Sequence, residues 1–211
     1  MALLVVNMEF WNDVATDKSW RVLIRIGKKF SFVIIGGWAC YLLTKAIKSK
    51  DIDIIADFDT LEKIRQEFPV KKTDFLRKYE AMIEGISVDI YVPHYSRFPL
   101  TAEEITRTGR EIEGLRVPGP EVLIILKQQA EMDRAHSPKG QKDRIDIMNL
   151  LINSDPDLSE YNRLVKRHGL DGYRKRLLQI ITESKKEFEY LGIADPGKAR
   201  RIKKKLIGEL R

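Results

Sequence analysis

Cysteine is almost missing from this 211-residue sequence, where Cys40 stands alone. One thiol forms neither an internal disulfide nor a multi-thiolate zinc site, and both exclusions suit a reducing compartment. Histidine occurs three times, as His94, His136 and His168, too scattered to suggest a metal triad. Asn and Gln number five each beside 33% charged residues, a pattern associated with heat-adapted proteins. The longest nearly apolar run, residues 30 to 43, is 14 long and is interrupted by Gly36-Gly37, whereas a bilayer-crossing helix needs about 20. No transmembrane span and no membrane partner are expected. The opening MALLVVN has no basic leader and meets Glu9 almost at once. A short strand or helix lead-in is expected there instead of a signal peptide, and with it a cytoplasmic location.

What is present is an ordinary globular composition, 43% apolar and 9% aromatic, long enough for one domain or a domain with a sizeable appendage. The net charge of +7 is unevenly placed: residues 159 to 211 carry 15 Lys/Arg against 7 Asp/Glu, a surplus of +8, and the rest of the chain nets −1. Clustered cations gain affinity for polyanions by releasing counterions from phosphates, so a basic end on a neutral body suggests a nucleic-acid partner. The alternative is a solvated helix face. The densest cluster is Lys198, Arg200, Arg201, Lys203, Lys204 and Lys205.

Periodicity divides the chain near residue 120. Before it, a helix capped by Asp17 or Ser19 is followed by a short buried strand over 31 to 35 that stops at Gly36-Gly37, and then by a helix over 38 to 47. A second strand over 51 to 56 alternates Asp51, Ile52, Asp53, Ile54, which puts both carboxylates on one face. A helix capped by Asp59 or Thr60 leads to a hairpin over 79 to 92 turning at Glu84-Gly85, with Asp89 between Val88 and Ile90. A short helix over 101 to 108 and a small hairpin turning at Glu113-Gly114 precede the breaker Pro118-Gly119-Pro120. Beyond it, helices are expected over 121 to 134, 143 to 152, 159 to 167, 172 to 191 and 198 to 210. The expected fold class is therefore mixed α/β (α+β), a mixed sheet flanked by helices over residues 1–119, followed by a helical, basic part over 120–211.

The carboxylates carry the chemistry. An aspartate flanked by Ile or Val has lost some hydration, which is unfavourable unless a cation or hydrogen-bond donors compensate, and two on one strand face also repel one another. Mg²⁺, or Mn²⁺ in its place, relieves both, since such hard ions take one or two carboxylates and complete their shell with water and substrate phosphates. The Gly36-Gly37 turn permits close backbone approach and opens a helix, whose N-terminus favours phosphate. Glycines and aspartates in this order define a nucleotide-phosphate site.

The motif Ile35-Gly36-Gly37, thirteen intervening residues, Asp51-Ile52-Asp53-Ile54, and a later Val88-Asp89-Ile90 resembles the signature of the DNA polymerase β-type nucleotidyltransferase superfamily over about residues 30 to 93. The texture IIGGWACYLL followed by KDIDI is similar to the stand-alone enzymes related to AbiEii toxins and to small archaeal homologues. The resemblance implies that Asp51 and Asp53 bridge catalytic metals, that Asp89 holds the metal activating the attacking hydroxyl, and that an NTP is the substrate. Many members carry Ser where this chain has Gly37, so a hydroxyl contact to phosphate would be lost.

A second set lies past the breaker: Lys127 closing an apolar helix stripe, then Arg134, then Lys142-Asp143-Arg144-Ile145-Asp146. It resembles the helix Lys and downstream Lys-Asp-x-x-Asp of the AbiEii-like group. That implies nucleotide binding by Lys127 and Lys142, with Asp143 and Asp146 in support. The plain alternative is that Asp143 caps a helix and Asp146 pairs with Lys142 or Arg144. Residues 137 to 140 are expected to form a flexible basic loop that could act as a lid. Trp38 and Cys40 are expected in the core.

The expected function is a metal-dependent nucleotidyltransferase that places an NMP on an acceptor hydroxyl and releases pyrophosphate. RNA, such as the 3′ end of tRNA, is the first candidate acceptor, bound by the basic carboxy-terminal helices. A protein hydroxyl or a small molecule is the alternative acceptor, and the rivals are the toxin half of a toxin–antitoxin pair, which adds an antitoxin protein as partner, a non-catalytic RNA-binding module on the same fold, and a purely structural interaction protein whose acidic strand holds basic partners.

Overall fold

A computed structural model of the chain describes residues 13–210. The expected amino-terminal lead-in lies outside them. The first part contains α1 (Asp13–Gly27), β1 (Val33–Ile35), α2 (Gly36–Thr44), β2 (Ile52–Ile55), α3 (Phe58–Glu67), β3 (Val70–Thr73), β4 (Lys78–Ile83), β5 (Ile86–Tyr91), α4 (Ala102–Arg107), β6 (Arg110–Ile112) and β7 (Leu115–Val117). The second is helical: α5 (Pro120–Asp133), α6 (Pro138–Asn153), α7 (Leu158–Arg167), α8 (Tyr173–Glu183), α9 (Lys186–Tyr190) and α10 (Pro196–Leu210).

The strands form one mixed seven-stranded sheet in the order β3-β4-β5-β2-β1-β7-β6. β2 runs antiparallel to β1 and parallel to β5, so the centre of the sheet is assembled from segments distant in sequence. Ile52, Ile54, Val88 and Ile90 are all buried, as the alternation requires. The β4–β5 hairpin turns through Glu84 and Gly85, both with positive φ, as a two-residue turn matched to strand twist demands. One hydrophobic core runs from the sheet through Trp38 and Leu42 of α2 to Leu123 and Ile124 of α5, Met148 and Leu150 of α6, and Leu206 and Leu210 of α10. Trp38 is fully buried, donates through Nε1 to Ser19 Oγ at 2.9 Å, and packs against Trp20 with ring centroids 5.0 Å apart and planes tilted by 42°.

Several boundaries differ from the sequence expectation. α1 begins at Asp13, ahead of the expected caps. β3, at the sheet edge, carries exposed Lys71 and Lys72 and has no apolar alternation to announce it, as befits an edge strand protected by charge. The single helix expected over 172 to 191 is two. Ser184 Oγ donates to Ile180 O at 2.6 Å, while Glu187 turns inward to Arg144 at 2.9 Å and accepts from Lys185 N, so tertiary pairing breaks the run. The expected lid over 137 to 140 is instead the first turn of α6: Ser137 Oγ accepts from Gly140 N at 3.1 Å and Pro138 sits at the start of the helix, where its missing N–H costs nothing. Asp143 therefore lies within α6 and caps nothing.

Candidate active site

The site grows from the sheet centre. Parallel pairing of β2 with β5 sets Asp53 directly beside Asp89, and antiparallel pairing of β4 with β5 sets Glu80 on the other side of Asp89. Paired residues of neighbouring strands share a face, so Asp53, Asp89 and Glu80 form a row, and Asp51 stands two residues before Asp53 at the start of β2. Burial and then the Asp89 charge push the Asp53 carboxyl up to about 6, although Lys127 and Lys78 pull the other way. The Asp89 carboxyl is also raised by burial, despite an ion pair between its Oδ2 and Lys78 Nζ. Its Oδ1 is buried with no hydrogen-bond partner.

The glycine corner is built around Asp53. Gly36 has φ +67, and a Cβ there would lie 2.2 Å from Asp53 Oδ2, so any side chain would displace the carboxylate. A Cβ on Gly37 would lie 2.5 Å from Ser49 Oγ and 3.7 Å from Lys142 Nζ. The space made by both glycines is thus filled by this chain's own side chains, and a hydroxyl, Ser49, stands beside Gly37 after all. No side chain caps α2 at Ile35, which leaves the backbone amides of its first turn to face the corner with the positive end of the helix dipole.

Behind this corner α5 and α6 carry a buried ion network. Lys127 Nζ lies 3.0 Å from Asp143 Oδ1 and 2.7 Å from Asp146 Oδ2, and Lys142 Nζ lies 2.5 Å from Asp146 Oδ1. Arg134 closes the network through Nε and Nη2, each 2.7 Å from Asp143 Oδ2. Burial disfavours the Lys127 charge, but Asp146 and Asp143 outweigh it and hold its pKa well above the ordinary lysine value. Burial likewise disfavours the Asp146 charge, and Lys127 with Lys142 overcomes that, leaving its pKa low. Every carboxylate here has a cation.

The ten residues of the two sets singled out in the sequence, Arg134 included, therefore gather around one corner, though not in the expected postures. Lys127 is no mobile cation at the end of a stripe: it is buried and paired. Asp146 does pair with Lys142, as the plain alternative held. Residues missed by sequence reasoning are Lys78 and Glu80, Ser49, and Tyr91, whose hydroxyl pKa is raised by burial and by Asp53 and Asp89. The polar alternation of Lys78 and Glu80 on β4 was a readable signal; nothing in the sequence pointed to Ser49. His94 and His168 line a separate cavity of about 600 Å³ to which none of these site residues contributes. Cys40 is buried, and its thiol is pushed up to about 12 by burial, so it is inert filler.

The donor set suits a hard divalent cation. Three aspartates offer oxygen ligands, two of them side by side and mutually repelling, and Asp89 Oδ1 has no partner. Among the described residues no three such groups already stand close enough to ligate one ion, and Asp89 is turned onto Lys78. Asp51, Asp53 and Asp89 are the carboxylates here that could hold such an ion.

No protein-family model matches the sequence, and no curated protein matches it. Solved structures do. JHP933 from Helicobacter pylori is 18% identical, with 94% of this chain and 95% of that chain covered, at a TM-score of 0.52. A candidate nucleotidyltransferase from H. pylori is also 18% identical, with 94% and 98% covered, at a TM-score of 0.51. The chain thus has a nucleotidyltransferase-like fold. Among the described residues no helix is long and apolar enough to cross a membrane.

Proposed function

We propose that the protein is a metal-dependent nucleotidyltransferase that moves an NMP from an NTP to an acceptor hydroxyl. The observation that carries this reading is the register pairing of Asp53 with Asp89 on neighbouring parallel strands, against a glycine corner that opens an uncapped helix. In the reaction the acceptor oxygen bonds to the α-phosphorus, the bond from that phosphorus to the bridging oxygen breaks, pyrophosphate leaves, and the acceptor proton passes to solvent. Divalent ions supply the positive charge that steadies the attacking oxygen and the leaving pyrophosphate. Asp51, Asp53 and Asp89 would hold those ions. The amides at the start of α2 offer hydrogen-bond donors where phosphates would rest, with Lys142 beside Gly37 and Lys127 beneath, both held by Asp143 and Asp146. Those two carboxylates support the site by keeping both lysines in place. We take residues 120–211 as the helical domain that completes the nucleotide site and carries the acceptor.

The acceptor in this reading is RNA. The outward face of α10 presents Lys198, Arg200, Arg201, Lys204 and Lys205, all exposed, while Ala199, Ile202, Leu206 and Leu210 turn to the core. Its carboxylate, Glu209, sits at the margin, 3.6 Å from Lys205. Asp195, just before the helix, lies 3.9 Å from Arg201, and the surplus of cations over these two carboxylates supports a phosphate backbone as the partner. Full-length protein incubated with labelled NTPs, Mg²⁺ and total RNA is expected to transfer label to RNA 3′ ends. Equal transfer by an Asp53→Ala variant would falsify the mechanism.

A further inference from the structure

We propose that Arg134 contacts the terminal phosphates of the nucleotide and that Asp143 is its positioning residue; this rests on the nucleotidyltransferase reading. Three cations belong to the α5–α6 network, but they differ in what they have left to offer. The side chains of Lys127 and Lys142 are only 10% and 9% exposed and their Nζ atoms already meet carboxylates, whereas that of Arg134 keeps 41% of its surface. Asp143 engages Nε and Nη2 on one edge of the guanidinium, which fixes its plane. The Nη1 side makes no contact with Asp143, and a guanidinium anchored on one edge presents its remaining donors in a fixed direction, the geometry that suits a phosphate.

Position agrees with chemistry. Arg134 is tied through Asp143 to Lys127 and Lys142, of which Lys142 adjoins Gly37, and Asp53 and Tyr91 lie close enough to act on its charge. Its backbone is held as firmly as its side chain. Arg134 ends α5, and its carbonyl accepts from Ser137 N at 3.0 Å and from Ser137 Oγ at 2.8 Å. Gly140, in the first turn of α6, packs so closely that a Cβ would lie 2.2 Å from Arg134 O. The segment read from sequence as a mobile lid is thus a rigid bracket for one arginine. Pre-organisation of this kind reduces the ordering cost of binding. Lys127 acts beneath it as a strut, through Asp143.

Inorganic tripolyphosphate with Mg²⁺ is a probe that does not depend on the base. Calorimetric titration of the full chain is expected to show binding that Arg134→Gln weakens by at least about tenfold, roughly 1.4 kcal/mol, while thermal unfolding stays cooperative. Arg134→Lys, which keeps the charge but not the two-point hold on Asp143, is expected to restore only part of the affinity. Asp143→Asn is expected to weaken tripolyphosphate binding less than Arg134→Gln does. In transfer assays Arg134→Gln should raise KM for NTP more than it lowers kcat. Tripolyphosphate binding by Arg134→Gln equal to that of the unaltered protein overturns this inference and leaves the nucleotidyltransferase reading standing. An unaltered protein that binds no tripolyphosphate with Mg²⁺ overturns both.

Discussion

The carboxylate row on the sheet and the ion network between α5 and α6 are built from the same residue types, lie against each other, and are electrostatic opposites. In the network, Asp143 and Asp146 are each met by two cations, and the Asp146 pKa falls even though the residue is buried. In the row, Asp53 and Asp89 have pKa values pushed upward, and Asp89 has an unpartnered oxygen. A balanced buried network holds its neighbours in place. An unbalanced one stores a demand for positive charge that a ligand can meet. Lys127 touches both regions, lowering the Asp53 pKa while bound to Asp143 and Asp146, so it is the link between framework and function.

The comparison can be broken at several points. The largest effect is expected from Lys127→Met, which leaves two buried carboxylates short of a cation; a loss of about 3–5 kcal/mol in urea unfolding is predicted, and a loss under 1 kcal/mol would show the network to be dispensable. Next, Asp53→Asn should leave the fold intact but lower label transfer about a thousandfold, roughly 4 kcal/mol in the barrier, as measured by initial rates at saturating Mg²⁺. The same substitution should act on stability with the opposite sign. Because folding raises the Asp53 pKa from 3.8 to about 6, its contribution is fully present below pH 3.8 and is lost as pH rises through 6. Without metal, Asp53→Asn should therefore unfold at a higher temperature than the unaltered protein at pH 8, by the equivalent of about 3 kcal/mol, and at nearly the same temperature near pH 3.5. The smallest effect sharpens the partner reading: replacing Lys198, Arg200 and Lys204 with Gln should reduce the salt dependence of RNA binding by about two to three in log–log slope while leaving tripolyphosphate binding unchanged.

Much of the row was legible in the chain because strand alternation and motif order are local. Asp51-Ile52-Asp53-Ile54 announced a half-buried strand with a polar face, and Val88-Asp89-Ile90 did the same. The α5–α6 network was legible only as a list of members. Lys127 at the end of an apolar stripe reads equally well as a reaching cation or as a buried one, because periodicity gives the face of a helix and not the charge standing opposite. The break at Ser184 was hidden for the same reason: it depends on Arg144 drawing Glu187 inward across the fold. The lid over 137 to 140 was misjudged because Ser-Pro and Gly are signals shared by loops and by helix starts.

The amino-acid order alone determined which segments are strands at the sheet centre, where the chain turns, which aspartates lose water, and where the basic surplus lies, since each follows from residue type and spacing within a few positions. Only the tertiary structure decided that Asp53 and Asp89 stand side by side, that Gly36 is glycine because a carboxylate occupies its side-chain space, and that Lys127 and Lys142 are paired while Arg134 stays open to solvent. Charge pairing is a property of distances between remote segments, and those distances are fixed by strand register and helix packing.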